Sequence, residues 1–308
     1  MNKDIFYRNL EVPTRRVDAI LDTDAFNEVD DQFAIGYMLL SQERINTVGI
    51  CAAPFHNKLS ASAADGMEKS YSEILKLLSL MGRDDFAKNV YRGSTRWLPD
   101  DKTPVISDAA KYIAETAKKY SPENPLYVVA IGAITNVASA ILLEPEAMRE
   151  NTVIVWLGGQ AFHWHDTKEF NMFQDYAAAR VVFDCGAPVV VLPCMGVVSE
   201  FRTSRPELEH WLVGKTPLSD YLAKNTIEHA EAYGAGTAWT RIIWDVTAVA
   251  WLLNDGDKFM KSRLESSPIV TDSGVYGFDG RRHHIRYVYW INRDKLFTDL
   301  FKTLNGEK

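Results

Sequence analysis

The sequence predicts an α/β fold, a mostly parallel central sheet flanked by helices, laid out as one domain over residues 1–308. Three observations carry this. Short apolar runs alternate with segments of helical periodicity through about the first two thirds of the chain. That order builds right-handed βαβ units and a parallel sheet. No internal repeat, low-complexity stretch or linker divides the chain, and 308 residues suit one large domain.

Residues 17–21 form an apolar run ending at Asp22, which reads as a buried strand. Residues 30–40 read as a helix whose N-terminus meets an acidic pair, and residues 45–52 as a second strand. Residues 65–81 have the amphipathic spacing of a helix, with Ile74, Leu75, Leu77, Leu78 and Met81 inward. A helix over 108–119 precedes a strand over 126–131, and Gly132 then leads into a helix beginning near Asn136. A strand over 152–157 stops at Gly158-Gly159. A helix over 176–184 is followed by a strand over 189–192 that Pro193 ends. Residues 205–253 read as mainly helical, 269–290 as short strands and 292–304 as a final helix.

Hydrophobic residues make up 46% and charged residues 24% of the chain, so a large core needs no staples. The formal charge of −7, with only the short Arg281-Arg282-His283-His284 stretch densely basic, argues against a nucleic-acid partner. Cys51, Cys185 and Cys194 are odd in number and irregularly spaced, which argues against a disulfide framework or a zinc pair. No run approaches a membrane span, and Met1-Asn2-Lys3-Asp4 leads into no apolar segment, so a cytoplasmic protein without signal peptide or membrane partner is expected.

The chemistry concentrates after the first strand. Asp22, Asp24, Asp30 and Asp31 crowd into ten residues with Glu28 among them. Two carboxylates about 4 Å apart repel by roughly 4 kcal/mol at an effective dielectric of 20. Such groups point apart, share a proton or bind a cation. With no nearby Cys or His, the fitting cation is hard and oxygen-ligated, calcium or magnesium. Helix capping accounts for Asp30 alone, but not for Asp22 and Asp24 beside it.

Asp22-Thr23-Asp24 followed by Asp30-Asp31 resembles the N-terminal fingerprint of the inosine-uridine-preferring nucleoside hydrolases, in its longer variant Asp-Thr-Asp-x-Gly-Asn-Asp-Val-Asp-Asp. Phe26 stands where that variant has Gly, and Glu28 where it has Asp. Ile131-Gly132-Ala133-Ile134-Thr135-Asn136 is similar to the family's Gly-Pro-Leu-Thr-Asn segment, though Thr135-Asn136 also suits a helix cap. Gly158-Gly159 with Glu169-Phe170-Asn171 resembles its Gly-Gly…Glu-Phe-Asn signature, and Trp244-Asp245-Val246-Thr247-Ala248-Val249-Ala250 its His-Asp-x-x-Ala-Val-Ala. The likeness covers roughly residues 17–255 in consistent order.

The resemblance implies an open α/β nucleoside-hydrolase fold and calcium-dependent hydrolysis of a ribonucleoside's N-glycosidic bond. It implies a calcium shell of Asp24, Asp31, Asp245 and the Ile131 carbonyl, with Asp24 as general base. Asp30 would meet the ribose 2′ hydroxyl, and Glu169 and Asn171 the 5′ and 3′ hydroxyls. Read as an extended segment, residues 169–171 put Glu169 and Asn171 on one side. Asp22 would orient the cluster, and Asn57 is a further sugar-contact candidate. The family also tends to form homodimers or homotetramers.

Two departures bear on the leaving group. Trp244 occupies the position where many members carry a histidine, and indole cannot supply a catalytic proton at neutral pH, although it can stack on a base. The loop 160–168 lacks the family's asparagine and carries His163, Trp164, His165 and Asp166. Either histidine could serve as acid or substrate contact, or be an exposed loop residue. His229, Tyr233, Trp239 and Arg241 precede Asp245 in the region where relatives contact the base. Two other readings stay open: a haloacid-dehalogenase-type phosphohydrolase using Asp22-Thr23-Asp24, and a nucleoside- or sugar-binding protein without turnover.

Overall fold

The structure, a computed structural model, describes residues 1–307. Its strands are β1 (Val17–Thr23), β2 (Ile45–Ala52), β3 (Val90–Arg92), β4 (Leu126–Ala130), β5 (Thr152–Leu157), β6 (Val189–Leu192), β7 (Arg202–Thr203), β8 (Arg241–Ile242), β9 (Met260–Ser266), β10 (Ile269–Val270), β11 (Tyr276–Gly277) and β12 (His284–Ile291). Eight of them form one sheet in the order β3-β2-β1-β4-β5-β6-β12-β9. Every neighbouring pair is parallel except β12 with β9, which closes one edge antiparallel. Two short antiparallel ribbons, β7 with β8 and β10 with β11, lie outside it.

The central strands are buried along almost their whole length, as parallel strands covered by helices on both faces must be. Successive residues feed opposite cores. Ala19 and Leu21 of β1 join Tyr127 and Val129 of β4 in one cluster, whereas Ile20, Leu126 and Val128 belong to the other. The helices Asp30–Leu40 and Ala63–Leu80 contribute to the first cluster, and Asp108–Ala117, Thr135–Leu143 and Tyr176–Asp184 to the second.

The periodicity placed the helices at 30–40 and 176–184 and the strands at 45–52, 152–157 and 189–192 where the structure has them. It missed the helix Lys3–Asn9, the short strand β3 and the edge strand β9. The sequence of β9, Met-Lys-Ser-Arg-Leu-Glu-Ser, is mostly polar because only one of its edges is paired and most of its residues reach solvent. The pattern gives no apolar signal there.

The topology also fixes where a ligand can sit. The chain starts in the middle of the sheet at β1, adds β2 and β3 on one side, then returns to add β4, β5 and β6 on the other. The strand order reverses between β1 and β4, and the segments leaving those two strands diverge to open a crevice beyond their carboxyl ends. No helix among the described residues is long and apolar enough to cross a membrane.

Candidate active site

Asp22 is a residue of β1 and lies in register with Ala130 of β4 and Cys51 of β2, so it stands at the reversal point. The chain then turns, with Asn27 N–H donating to the Asp24 carbonyl at 2.7 Å, and enters the helix Asp30–Leu40. Asp30 and Asp31 occupy its first turn, but the N-cap is Val29, which offers no side-chain bond. Asp245 is itself the N-cap of the helix Val246–Trp251 and makes no capping bond through its carboxylate. Asp30, Asp31 and Asp245 thus cap no helix of their own, although Asp30 Oδ2 accepts from the Asp245 N–H at 3.3 Å and so joins the two helix starts.

They converge in a cleft of about 240 Å³. Asp24, Glu28, Asp30, Asp31, Glu169 and Asp245 line it, together with Asn57, Asn171, Trp244 and others, and no Lys, Arg or His is among the lining residues. Carboxylate oxygens of Asp30, Asp31 and Asp245 lie within 4.8 Å of one another. Asp24 lies outside that trio but lines the same cleft, as does Ile131, so the four expected ligands Asp24, Asp31, Asp245 and the Ile131 carbonyl border one cavity with Asp30 beside them. Oδ2 of Asp24, Oδ1 of Asp30 and Oδ2 of Asp22 are buried without a hydrogen-bond partner.

Electrostatics follow from this crowding. Burial pushes the Asp22 carboxyl up to about 7, against the stabilising bond from Asn136. Burial and then the Glu28 charge raise Asp30 to about 6. Burial and then Asp30 raise Asp31 to about 8, although Thr23 Oγ1 donates to it at 2.5 Å. Asp24 and Asp245 are raised well above the carboxylate range, first by burial and then by neighbouring aspartates. A cation in the cleft would reverse this by favouring the ionised forms. The orphaned oxygens and the three converging carboxylates of Asp30, Asp31 and Asp245 fit a hard divalent ion such as calcium.

The surrounding residues hold the cluster in place. Asn136 is fully buried and donates through Nδ2 to Asp22 Oδ1 at 2.8 Å and to the Ala52 carbonyl at 3.2 Å, while its Oδ1 accepts from Ser94 N–H at 2.7 Å. It ties β1 to β2 and to the segment after β3. The helix it begins has Ile134 as N-cap with no side-chain bond, so the capping alternative for Thr135-Asn136 is wrong. A Cβ at Gly132 would meet Asp24 Oδ1 at 2.8 Å. Glycine there lets the chain leaving β4, with the Ile131 carbonyl, pass close to Asp24.

The segment 169–171 is not extended, as the sequence reading had it. Glu169 is the N-cap of the short helix Phe170–Gln174, and its carboxylate accepts from the backbone N–H of Gly159, Asn171 and Met172 at 2.8–2.9 Å. A carboxylate can bond its own helix terminus this way wherever the backbone turns in after it, and tripeptide alternation cannot reveal that. Both side chains still line the cleft. Asn171 Nδ2 donates to the carbonyls of Ile131 at 3.1 Å and Leu157 at 3.2 Å, which fixes the Ile131 carbonyl and leaves one lone pair free.

Asn57 lines the cleft, but its side chain is engaged: Nδ2 donates to Asn27 Oδ1 at 2.7 Å and its own Oδ1 accepts from Leu59 N–H at 2.8 Å. Trp244 forms part of the wall and packs on the core. His163 and His165 correct the sequence reading: both are exposed, neither lines the cleft, and His165 pairs with Asp166 at 3.1 Å. The polar loop 160–168 turns them toward solvent. Sequence reasoning gave no place in the site to Asn27, Cys194 and Met195, which line it too. Cys194 follows β6 as Asp24 follows β1, and that shared position beyond a strand's carboxyl end was the available signal.

A family model described as inosine-uridine preferring nucleoside hydrolase matches residues 19–298. The pyrimidine-specific ribonucleoside hydrolase RihA of Citrobacter koseri is 28% identical over 211 residues, covering 60% of this chain and 66% of that protein. A probable uridine nucleosidase 2 of Arabidopsis thaliana is 27% identical over 231 residues, covering 67% of each chain. The match thus spans about two thirds of the length of these relatives. Among solved structures, a plant nucleoside hydrolase superposes with a TM-score of 0.74 over 94% of this chain and 99% of its own, at 17% identity, a likeness of fold. With a parallel sheet that puts buried aspartates at its reversal point and a family match over most of its length, the chain belongs to the inosine-uridine preferring nucleoside hydrolase family.

Proposed function

We propose that the cleft hydrolyses the N-glycosidic bond of ribonucleosides, or of a related N-riboside, with calcium as cofactor. The observation that carries the reading is a lining of six carboxylates with no basic side chain among them. Asp24, Asp31, Asp245 and the Ile131 carbonyl would hold the calcium, with Asp30 beside them. When bound, the ion supplies a Lewis acid that lowers the pKa of water and grips vicinal hydroxyls.

The residues divide the remaining tasks. Asp24, whose Oδ2 has no other partner, takes the proton of the attacking water as general base. Asp30 Oδ1, equally unpartnered, accepts from a ribose hydroxyl. Asn171 presents its amide to the sugar while holding the Ile131 carbonyl in place, and Glu169 fixes the floor through its backbone bonds. The buried carboxylates favour the positive charge that develops on the sugar as the bond to the base breaks. Trp244 offers an indole face to the departing base. No imidazole lines the cleft, so expulsion of the base leans on charge stabilisation more than on proton donation. The phosphohydrolase alternative has no support from the family match. The turnover-free alternative is decided by assay.

The test is sugar release from a nucleoside panel with calcium, run beside a p-nitrophenyl riboside, whose leaving group needs no proton. Ribosides are expected to turn over, with the activated riboside favoured by roughly tenfold or more in kcat/KM, because leaving-group acids contribute about 10²–10⁴-fold where they exist. 2′-Deoxynucleosides are expected to be poor, since groups placed for a hydroxyl reject its absence. Saturable nucleoside binding with no release from any riboside would reject the hydrolase reading.

A further inference from the structure

The acidic cleft carries more negative charge than a bound ion takes up. Its lining holds the carboxylates of Asp24, Glu28, Asp30, Asp31, Glu169 and Asp245 and no cationic side chain. With all of them ionised, a divalent ion offsets two charges. Arg241, which stands outside the lining and pairs with Glu28 at 2.9 Å, offsets a third. Negative charge is left over around the space for the substrate. A cation entering that space is attracted, and an anion such as a 5′-phosphate is repelled.

The cleft also offers a departing base no proton. Its lining contains no His, Lys or Tyr. Glu28 is engaged with Arg241, and Glu169 accepts from three backbone N–H groups. Cys194 is the remaining protic side chain, and burial, then Glu169, push its thiol well above its ordinary range, so it keeps its proton. His229, on the helix Pro217–Gly234, lies outside the lining, and burial, then Arg241, push its imidazole down, so it is neutral near pH 7. Two aromatic side chains, Trp244 and Phe170, complete the wall. An aromatic face attracts a cationic ring more strongly than a neutral one, and indole does so best.

We propose that the preferred substrate is a riboside whose base is already cationic, of the N-ribosylpyridinium type, and not its 5′-phosphate. The inference rests on the hydrolase reading and names the substrate class of that site. When the C1′–N bond of such a riboside breaks, the electron pair stays on the ring nitrogen. The pyridinium departs as a neutral pyridine and needs no proton. The oxygen of water forms the new bond to C1′, and the proton it sheds passes to Asp24 and on to solvent. Positive charge moves from the ring to the ribosyl carbon, so the carboxylates face a cation from binding through bond cleavage. The missing acid is then no defect, because this leaving group has no use for one.

The test compares nicotinamide riboside with uridine, p-nitrophenyl riboside, nicotinic acid riboside and nicotinamide mononucleotide. Release of the leaving group is measured in calcium, and binding is measured by calorimetry on Asp24→Asn, where turnover is slowed. Nicotinamide riboside is expected to exceed uridine by roughly 10²-fold in kcat/KM, the lower end of what a leaving-group acid supplies. It is expected to bind Asp24→Asn roughly tenfold tighter than uridine, and the two analogues that add an anion to bind roughly tenfold weaker than nicotinamide riboside. Trp244→Leu is expected to weaken its binding by roughly fivefold, with Trp244→Phe restoring most of the loss. The two anionic analogues carry the test on an unaltered Trp244 if Trp244→Leu fails to fold. Uridine hydrolysed or bound as well as nicotinamide riboside, or the mononucleotide matching the riboside, would overturn the inference and leave the hydrolase reading standing. A panel in which no riboside is hydrolysed, p-nitrophenyl riboside included, would sink that reading and this inference together.

Discussion

Replacing Asp24 by Asn is expected to cut riboside hydrolysis by roughly 10³-fold in kcat/KM, within the range a lost general base produces, and at the same time to stabilise the calcium-free protein near pH 8. Asparagine has almost the volume of aspartate, and the site is 1% exposed, so packing changes little. What disappears is a negative charge. Asp24 is surrounded by Asp22, Asp30 and Asp31, each of which raises its carboxyl further after burial has done so. A neutral amide removes that repulsion and the need to take up a proton. Activity and metal-free stability therefore move in opposite directions. A residue that only supported the fold would lose both. The paired measurement is steady-state hydrolysis with calcium and thermal unfolding in a chelator; a variant less stable than the parent in chelator at pH 8 would contradict the electrostatic account.

The second large effect is the pH dependence of calcium stabilisation. Without a cation, Asp30, Asp22 and Asp31 are raised to about 6, 7 and 8 from the ordinary carboxylate value of 3.8. For acids raised in the folded state, the folded protein binds more protons than the unfolded chain above that ordinary value. Their contribution to stability is thus full below about pH 4 and is lost as pH climbs through 6 to 8. Calcium requires the ionised forms, so it competes with protons, binds tighter at high pH and releases protons on binding. A hundredfold excess over Kd adds about 2.7 kcal/mol, a shift of several degrees in Tm for a chain of this size. The shift is expected to be large at pH 8 and small at pH 5 in calcium-titrated melting curves. A shift independent of pH would place the ion away from these carboxylates.

The sequence disclosed the site unevenly, for physical reasons. Asp22, Asp24, Asp30 and Asp31 are local in the chain, and their mutual repulsion makes them conspicuous before any fold is known. Asp245 was legible only through a motif, because 214 residues separate it from Asp31 and only the approach of two helix N-termini joins them. Asn136, for which a helix cap was the alternative reading, is the strut of Asp22. Glu169, expected at the sugar, lines the cleft and also accepts from three backbone N–H groups, which the sequence did not show. Both partners stayed hidden because a polar side chain chooses between local backbone and distant partners, a choice made by tertiary packing. The fold was clearer, since continuous apolar strands and amphipathic helices write their burial into every second or fourth residue. β9 and the helix Lys3–Asn9 stayed hidden because neither buries a continuous face.

The central claim is that the carboxylates around the reversal point of the sheet form one calcium site. Its most direct test is a crystal structure of the full chain grown with millimolar calcium and measured for the anomalous signal of the ion. The account predicts a single calcium in the cleft, ligated by Asp24, Asp31, Asp245 and the Ile131 carbonyl, with Asp30 in contact with the sugar of a bound ribose-like inhibitor. A cleft without calcium under those conditions, or an ion whose ligands leave out both Asp31 and Asp245, would contradict it.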